Sequence, residues 1–439
     1  MEQKGKFIKA VTYKISQFNF MAKIKQVKAR EILNSKGVPT VETSVILSDG
    51  SVGTSSYPIG TSVGSYEAWQ LKDSEQKRYQ GQGVQKAIQN IESQIAPNIV
   101  GLEADRQQEI DKIMIDLDGT QNKGRFGVNA ILSVSMSVAK AASTSSVLPL
   151  FLYLREFIKK ENLLLKIPTP AFNLLNGGKH ARGTLNFQEF LVIPASSKTY
   201  SESLEIGVSI YRALGKTLEF KSLSTLTGDE GGYSPSVANN IDAFSLLRES
   251  IERTSIQLEF DVFFGLDSSA SNFFSDKKYY IKDKPAGLSS NELMSYYEEL
   301  NRNHHLLYIE DPLAEDDWGA WSDLCSRMSQ TTIIAGGDLV ATNPYRLQIA
   351  LNKKAITAIV IKPSQIGTVI EALAVVEIAR QSGLKIIVSN RGGETNDNFI
   401  ADFAVAVSAD YVKFGAPARG ERVEKYNRLL QIEDEINAL

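Results

Sequence analysis

Three charged side chains, Asp267, Glu310 and Lys362, each close a short apolar run: "FFGLD", "LLYIE" and "AIVIK". A charge at the inner end of such a run is costly to bury, so these three read as working groups. Similar residues end the other apolar runs: Glu189, Asp229 with Glu230, Asp311, Asp338, Asn390 with Arg391, and Lys413. If the runs are barrel strands, their C-terminal ends open at one mouth and their side chains converge there. The competing role for each is a helix N-cap, which suits Asp316 and Asp317 ahead of "WGAWSDL". Two or three converging carboxylates hold a hard divalent cation. A lysine whose pKa is lowered by neighbouring cations serves as a base, and a second lysine stabilises charge. Glu189 and Glu230 then protonate a departing hydroxyl. The expected chemistry is removal of a proton α to a carboxylate, followed by loss of water.

Composition is compatible with this and narrows little else. A chain of 439 residues suggests two domains. The net charge of -3 gives no support to a nucleic-acid footprint. No apolar run reaches the length needed to span a bilayer, so no membrane insertion is expected. Cys325 is the only cysteine, which excludes an intrachain disulfide and points to a reducing, cytoplasmic location. With histidine only at 180, 304 and 305, a metal is expected on carboxylates, as Mg²⁺, rather than at a His-rich zinc site.

The elements that must position these groups fall into two regions, with residues 1–20 a basic extension that makes a poor signal peptide. Residues 21–160 form an α+β domain. In "TVETSVIL" Val41, Thr43, Val45 and Leu47 share one face, and Asp49-Gly50 marks a hairpin turn. The loop "PIGTSVGSYEA" follows. Val84, Ile88, Ile91 and Ile95 then recur at helical spacing, with Pro97 beyond the helix end. "NAILSVSMSVAKAAS" is a second helix, whose small residues favour close packing. Across 161–439 apolar runs alternate with helical patterns. Thr199 with Glu202 and Ser289 with Glu292 make capping boxes, and Gly383 closes "IEALAVVEIARQSG". The fold class expected is α/β, a (β/α)8-type barrel after a smaller α+β domain. A doubly wound sheet is the alternative, but no Gly-rich dinucleotide fingerprint follows the first strand.

From Met21 to the C-terminus the chain resembles the enolase family. The resemblance is carried by "LDGTQNKGRFGVNAIL", "NLLNGGKHA", "QEF", "GDEGG", "IEDPLAEDDW", "QIGT", "GETNDNFIADFAV" and "GAPARGERVEKYN". It implies dehydration of 2-phosphoglycerate to phosphoenolpyruvate, Mg²⁺ as cofactor, a small phosphorylated carboxylate as substrate and a homodimer or higher homo-oligomer. It makes Lys362 the base, Lys413 its partner lysine, and Glu230 the general acid with Glu189 beside it. Asp267 and Glu310 match metal ligands, and Ser62 matches the loop serine of a second metal. His180, Gln188, Ser389 and Arg391 match substrate-binding positions, Arg391 at the phosphate.

The sequence departs from the family pattern around the same mouth. In "AGGDLVATN" Gly337 stands where the family carries the first of two aspartates, a metal ligand. Only Asp338 remains, and alternation along a strand turns it to the opposite face unless the backbone shifts. A lost ligand is therefore expected here. "SHRSGET" reads "SNRGGET", placing Asn390 for histidine and Gly392 for a phosphate-contacting serine; "SGASTG" reads "IGTSVG", "HEA" reads "YEA", and Lys36 replaces an arginine. These changes leave open an enolase-like protein with lost or redirected activity, on a different carboxylate or in a non-catalytic binding role.

Overall fold

Alternation in "TVETSVIL" builds the middle strand of an antiparallel sheet, β1 (Ile24–Leu33), β2 (Pro39–Leu47) and β3 (Val52–Ser56). The structure is a computed structural model describing residues 22–61, 64–159, 163–181 and 185–438. The extension 1–20 and Ser62 lie outside the described residues. Val41, Thr43, Val45 and Leu47 are all buried, and Gly50 takes the left-handed φ of 92° that the turn needs. Against them packs the helix Val128–Ser145. A Cβ at Gly53 would lie 2.2 Å from both Ala141 N and Ser137 O, so sheet and helix touch backbone to backbone. The serines in this helix serve the contact: Ser133 Oγ and Thr43 Oγ1 are 2.7 Å apart, and Ser137 Oγ donates to Thr43 O.

Pro97 does not end its helix. Gln85–Asn90, Ile91–Ile95 and Ala96–Ile99 form one continuous run in which the middle piece is π-helical. The widened turn ahead of Pro97 removes the demand for the N–H that proline lacks, and the chain carries on.

The barrel runs through β4 (Thr169–Pro170), β5 (Phe172–Asn176), β6 (Glu189–Pro194) and β7 (Val262–Asp267). A two-stranded hairpin, β8 (Phe274–Ser275) and β9 (Lys278–Tyr279), lies outside it. It continues with β10 (Leu306–Glu310), β11 (Ile333–Gly336), β12 (Ala358–Ile361), β13 (Lys385–Ser389) and β14 (Tyr411–Lys413). Only Ala171 separates β4, paired with β14, from β5, paired with β6, and this closes the ring. One strand departs from a regular (β/α)8 pattern: β6 is antiparallel to both β5 and β7. The link from β5 to β6 is a short loop without a crossover helix, and a short return can only reverse the strand. Both capping boxes form, on helices Tyr200–Phe220 and Ser290–His304. No described helix is long and apolar enough to cross a membrane.

The N-terminal region also caps a barrel helix, Val369–Gln381, which follows the strand end carrying Lys362. Ser135 Oγ accepts from Val369 N (3.0 Å) and Asp111 Oδ2 from Ile370 N (3.1 Å), so donors left over at the helix start are met from the other region. Burial pushes the Asp111 carboxyl up to about 7, against hydrogen bonds from Ser135, Ile370 and Gln107. Its folded pKa lies above the unfolded one, so its stabilising contribution is full at acid pH and is lost as pH rises through about 7. Asp111→Asn should remove this slope. Urea unfolding at pH 5 and pH 8 should show the variant gaining on the parent at the higher pH, by roughly 1–3 kcal/mol; a pH-independent difference would show that Asp111 does not titrate there.

Candidate active site

The residues expected at the mouth reach it by different routes. Asp267, Glu310 and Lys413 end parallel strands, and Lys362, Asn390 and Arg391 follow the ends of β12 and β13. Glu189 was expected at a C-terminal strand end, but it is the first residue of β6. Because β6 is reversed, its start lies at the same mouth, in register with Asp267. Asp229 and Glu230 close no strand either. They sit in a turn held by Asp229 N→His180 O (2.8 Å) and Ala416 N→Glu230 O (2.9 Å).

Lys413 is the centre of the charge arrangement. Its Nζ lies 2.7 Å from Asp267 Oδ2, 2.7 Å from Glu310 Oε2 and 3.0 Å from Glu189 Oε2, and all four side chains are buried. Burial opposes the ammonium charge, but Asp267, Glu189 and Glu310 outweigh it and hold the pKa well above the ordinary value. Lys362 Nζ lies 3.9 Å from Glu310 Oε1. The lowering expected from neighbouring cations is exerted on Lys362 by Lys413 and Arg391. Burial adds to it, yet Glu310 and Asp338 prevail and the pKa is raised. On the far side the ligand atoms of His180, Glu189 and Glu230 lie within 4.8 Å of one another. Burial disfavours charge on both His180 and Glu230. Glu230, Glu189 and Asp267 nevertheless raise His180, while His180, Arg422 and Lys413 bring Glu230 down to about 2. Both shifts favour the charged pair, imidazolium beside carboxylate.

One cavity is bordered by Glu189, Glu230, Asp267, Asp338, Lys362 and Lys413 and, further along, by His180, Gln188, Ser389, Asn390 and Arg391. Two regions of the chain match family models over this architecture: the enolase N-terminal domain over residues 24–154 and the enolase C-terminal TIM barrel domain over 164–439. The enolase of Acidothermus cellulolyticus is 44% identical over 417 residues, covering 95% of each chain. That of Beutenbergia cavernae is 43% identical over 416 residues, covering 95% of this chain and 96% of its own. The chain belongs to the enolase family.

Within this enolase the departures can be located. β11 ends at Gly336, so the alternation that would turn Asp338 away stops before reaching it. The chain instead curls around Asp311, whose carboxylate accepts from the N–H groups of Gly337 (3.0 Å), Asp338 (2.7 Å) and Leu339 (3.3 Å). The Asp338 side chain borders the cavity, where burial pushes its carboxyl up to about 6 while Lys362 draws it down. The position vacated at Gly337 is filled by neighbours: a Cβ there would lie 2.6 Å from Asp311 Oδ2 and 2.8 Å from Glu310 Oε1.

A divalent cation belongs to enolase chemistry, and the donors here suit one. Glu310 Oε1 is buried without a hydrogen-bond partner, and Asp267, Glu310 and Asp338 offer only hard oxygen atoms.

Several residues at the mouth escaped the sequence reading. Glu67 is buried and pairs with Arg391 Nη2 at 2.7 Å; only its place in the loop after Gly64 hinted at a role. Tyr66 and Ser65 dock that loop, donating to Asp316 Oδ1 (3.0 Å) and Glu315 Oε1 (2.7 Å), and the Arg346 guanidinium lies 3.6 Å from the Tyr66 ring centre. Asp316 thus fastens a loop rather than capping a helix. Asp317 occupies an N-cap position without capping and accepts instead from Ser290 Oγ.

Gly337→Asp should not repair this site. It places a side chain against two carboxylates, and should lower the melting temperature and leave activity no higher than in the parent. Thermal denaturation and a Mg²⁺ titration of both proteins decide it; higher activity at low Mg²⁺ would mean that Asp311 yields and that 337 is a vacant ligand position.

Proposed function

We propose that this chain catalyses the reversible dehydration of 2-phosphoglycerate to phosphoenolpyruvate in glycolysis, using the barrel mouth as its active site. The observation that carries the reading is the pair of lysines, Lys413 buried and Lys362 partly buried, set among carboxylates from separate strands, in a chain 43–44% identical to enolases over 95% of its length. That span, with base, acid and partner lysine all in place, favours enolase chemistry over a redirected or purely binding role.

In this mechanism Lys362 Nζ takes the proton from the carbon α to the substrate carboxylate. Asp267, Glu310 and Asp338 would hold Mg²⁺, and the resemblance assigns Ser62 to a second ion. When bound, the metal supplies positive charge to the substrate carboxylate as the dianionic intermediate forms. A cation held there would also oppose Glu310 and Asp338, the carboxylates that raise the Lys362 pKa, and so favour the neutral amine that a base must be. Lys413 stays an ammonium and stabilises the same developing charge. The bond from carbon to the hydroxyl then breaks, and the departing oxygen takes a proton and leaves as water. Glu230, which shares a proton with His180, delivers it to that oxygen, with Glu189 completing the pocket. Arg391 grips the phosphate, and His180, Gln188 and Ser389 face the substrate. A cytoplasmic homodimer joined through the N-terminal domain completes the reading.

The decisive experiment follows phosphoenolpyruvate formation at 240 nm while Mg²⁺ is titrated. The native chain should turn over, Lys362→Ala should lower kcat by about 10³-fold, and Glu230→Gln should block water loss while still exchanging the α-proton with solvent. A native chain silent at every Mg²⁺ concentration would defeat the proposal.

A further inference from the structure

Thr61 and Gly392 contend for the same space. A Cβ on Gly392 would lie 2.1 Å from Thr61 Oγ1 and 3.0 Å from Thr61 Cβ, so Thr61 occupies the space that a side chain on residue 392 would take. The preceding residue is seated as tightly, since a Cβ on Gly60 would fall 1.8 Å from Arg391 Nη2. Gly60 and Thr61 therefore lie directly on the Arg391–Gly392 segment. All four residues border the cavity that holds Lys362 and Ser389. Thr61 Oγ1 is 3.1 Å from Lys36 Nζ and 3.1 Å from Asp229 Oδ2, and Lys36 pairs with that same carboxylate oxygen at 2.5 Å. One neighbour gives the hydroxyl a proton to accept and the other takes the one it donates. Rotating the O–H away from Asp229 frees a donor toward an anion at Arg391, while the Lys36–Asp229 ion pair persists.

We propose that Thr61 is a binding residue for the phosphate group of the substrate, its hydroxyl standing in for a side chain at position 392. The proposal rests on the assignment of the Arg391 end as the phosphate site.

A cycle of variants tests this, read by the KM for 2-phosphoglycerate and by calorimetric titration with inorganic phosphate. Thr61→Ala should raise KM and weaken phosphate binding about 10-fold, with kcat changed much less, and Thr61→Ser should remain close to the parent. Gly392→Ser alone should be worse than Thr61→Ala, because the two side chains collide. The pair Thr61→Ala with Gly392→Ser should recover much of the lost affinity, since the new hydroxyl enters the space just cleared. An unchanged KM and phosphate affinity in Thr61→Ala would overturn the proposal, as would a double variant no better than the worse single one. Should the native chain fail to turn over, the enolase assignment falls, yet the phosphate titrations still decide the role of Thr61. If Gly392→Ser does not fold, the comparison of Thr61→Ala with Thr61→Ser decides it alone.

Discussion

The site rests on one ammonium group held by three carboxylates. Asp267, Glu310 and Glu189 come from different strands, and without Lys413 they would be like charges packed together out of water. The ammonium is in turn tolerated in the barrel only because those carboxylates surround it. Each strand end is thereby fixed relative to the others by an electrostatic constraint that packing alone would not impose. The same constraint bears on Lys362, whose Nζ lies 3.9 Å from the remaining oxygen of Glu310 and whose pKa Glu310 and Asp338 raise against burial.

Much of this was legible in the chain. Apolar runs ending in a charge located Asp267, Glu310, Lys362 and Lys413, because a buried strand must be apolar until the point where it opens on the mouth. Glu189 was located for the wrong reason. It begins a reversed strand, and nothing in "FQEFLVIPA" states direction, since alternation and apolarity read the same both ways. Asp338 was misread through a boundary: a face argument valid inside β11 was carried past Gly336, where the chain leaves the strand. The state of Lys362 was out of reach because it depends on which charges lie nearest in space, and the carboxylates outweigh the cations. Glu67 was hidden for a similar reason, as its partner Arg391 is distant in sequence.

The two regions of the chain are joined through more than a shared surface. Side chains of the first region finish the start of the helix behind Lys362, and its loop lies across the mouth, held by Glu315, Asp316 and Arg346. Gly337, Asn390, Gly392, Tyr66 and Lys36 are among the positions read from the sequence as departures from the family pattern. Two of them show direct accommodation. The turn after β11 is rebuilt around Asp311, and the absent side chain at 392 is matched by the presence of Thr61.

Ring closure carries a consequence for how the protein comes into being. Thr169 pairs with Tyr411, so the last strand seals the barrel against its first, and Lys413 lies on that last strand. During synthesis the three acidic partners of Lys413 emerge from the ribosome long before it does. The strand that shuts the ring is therefore also the one that delivers the ammonium shared by the three carboxylates.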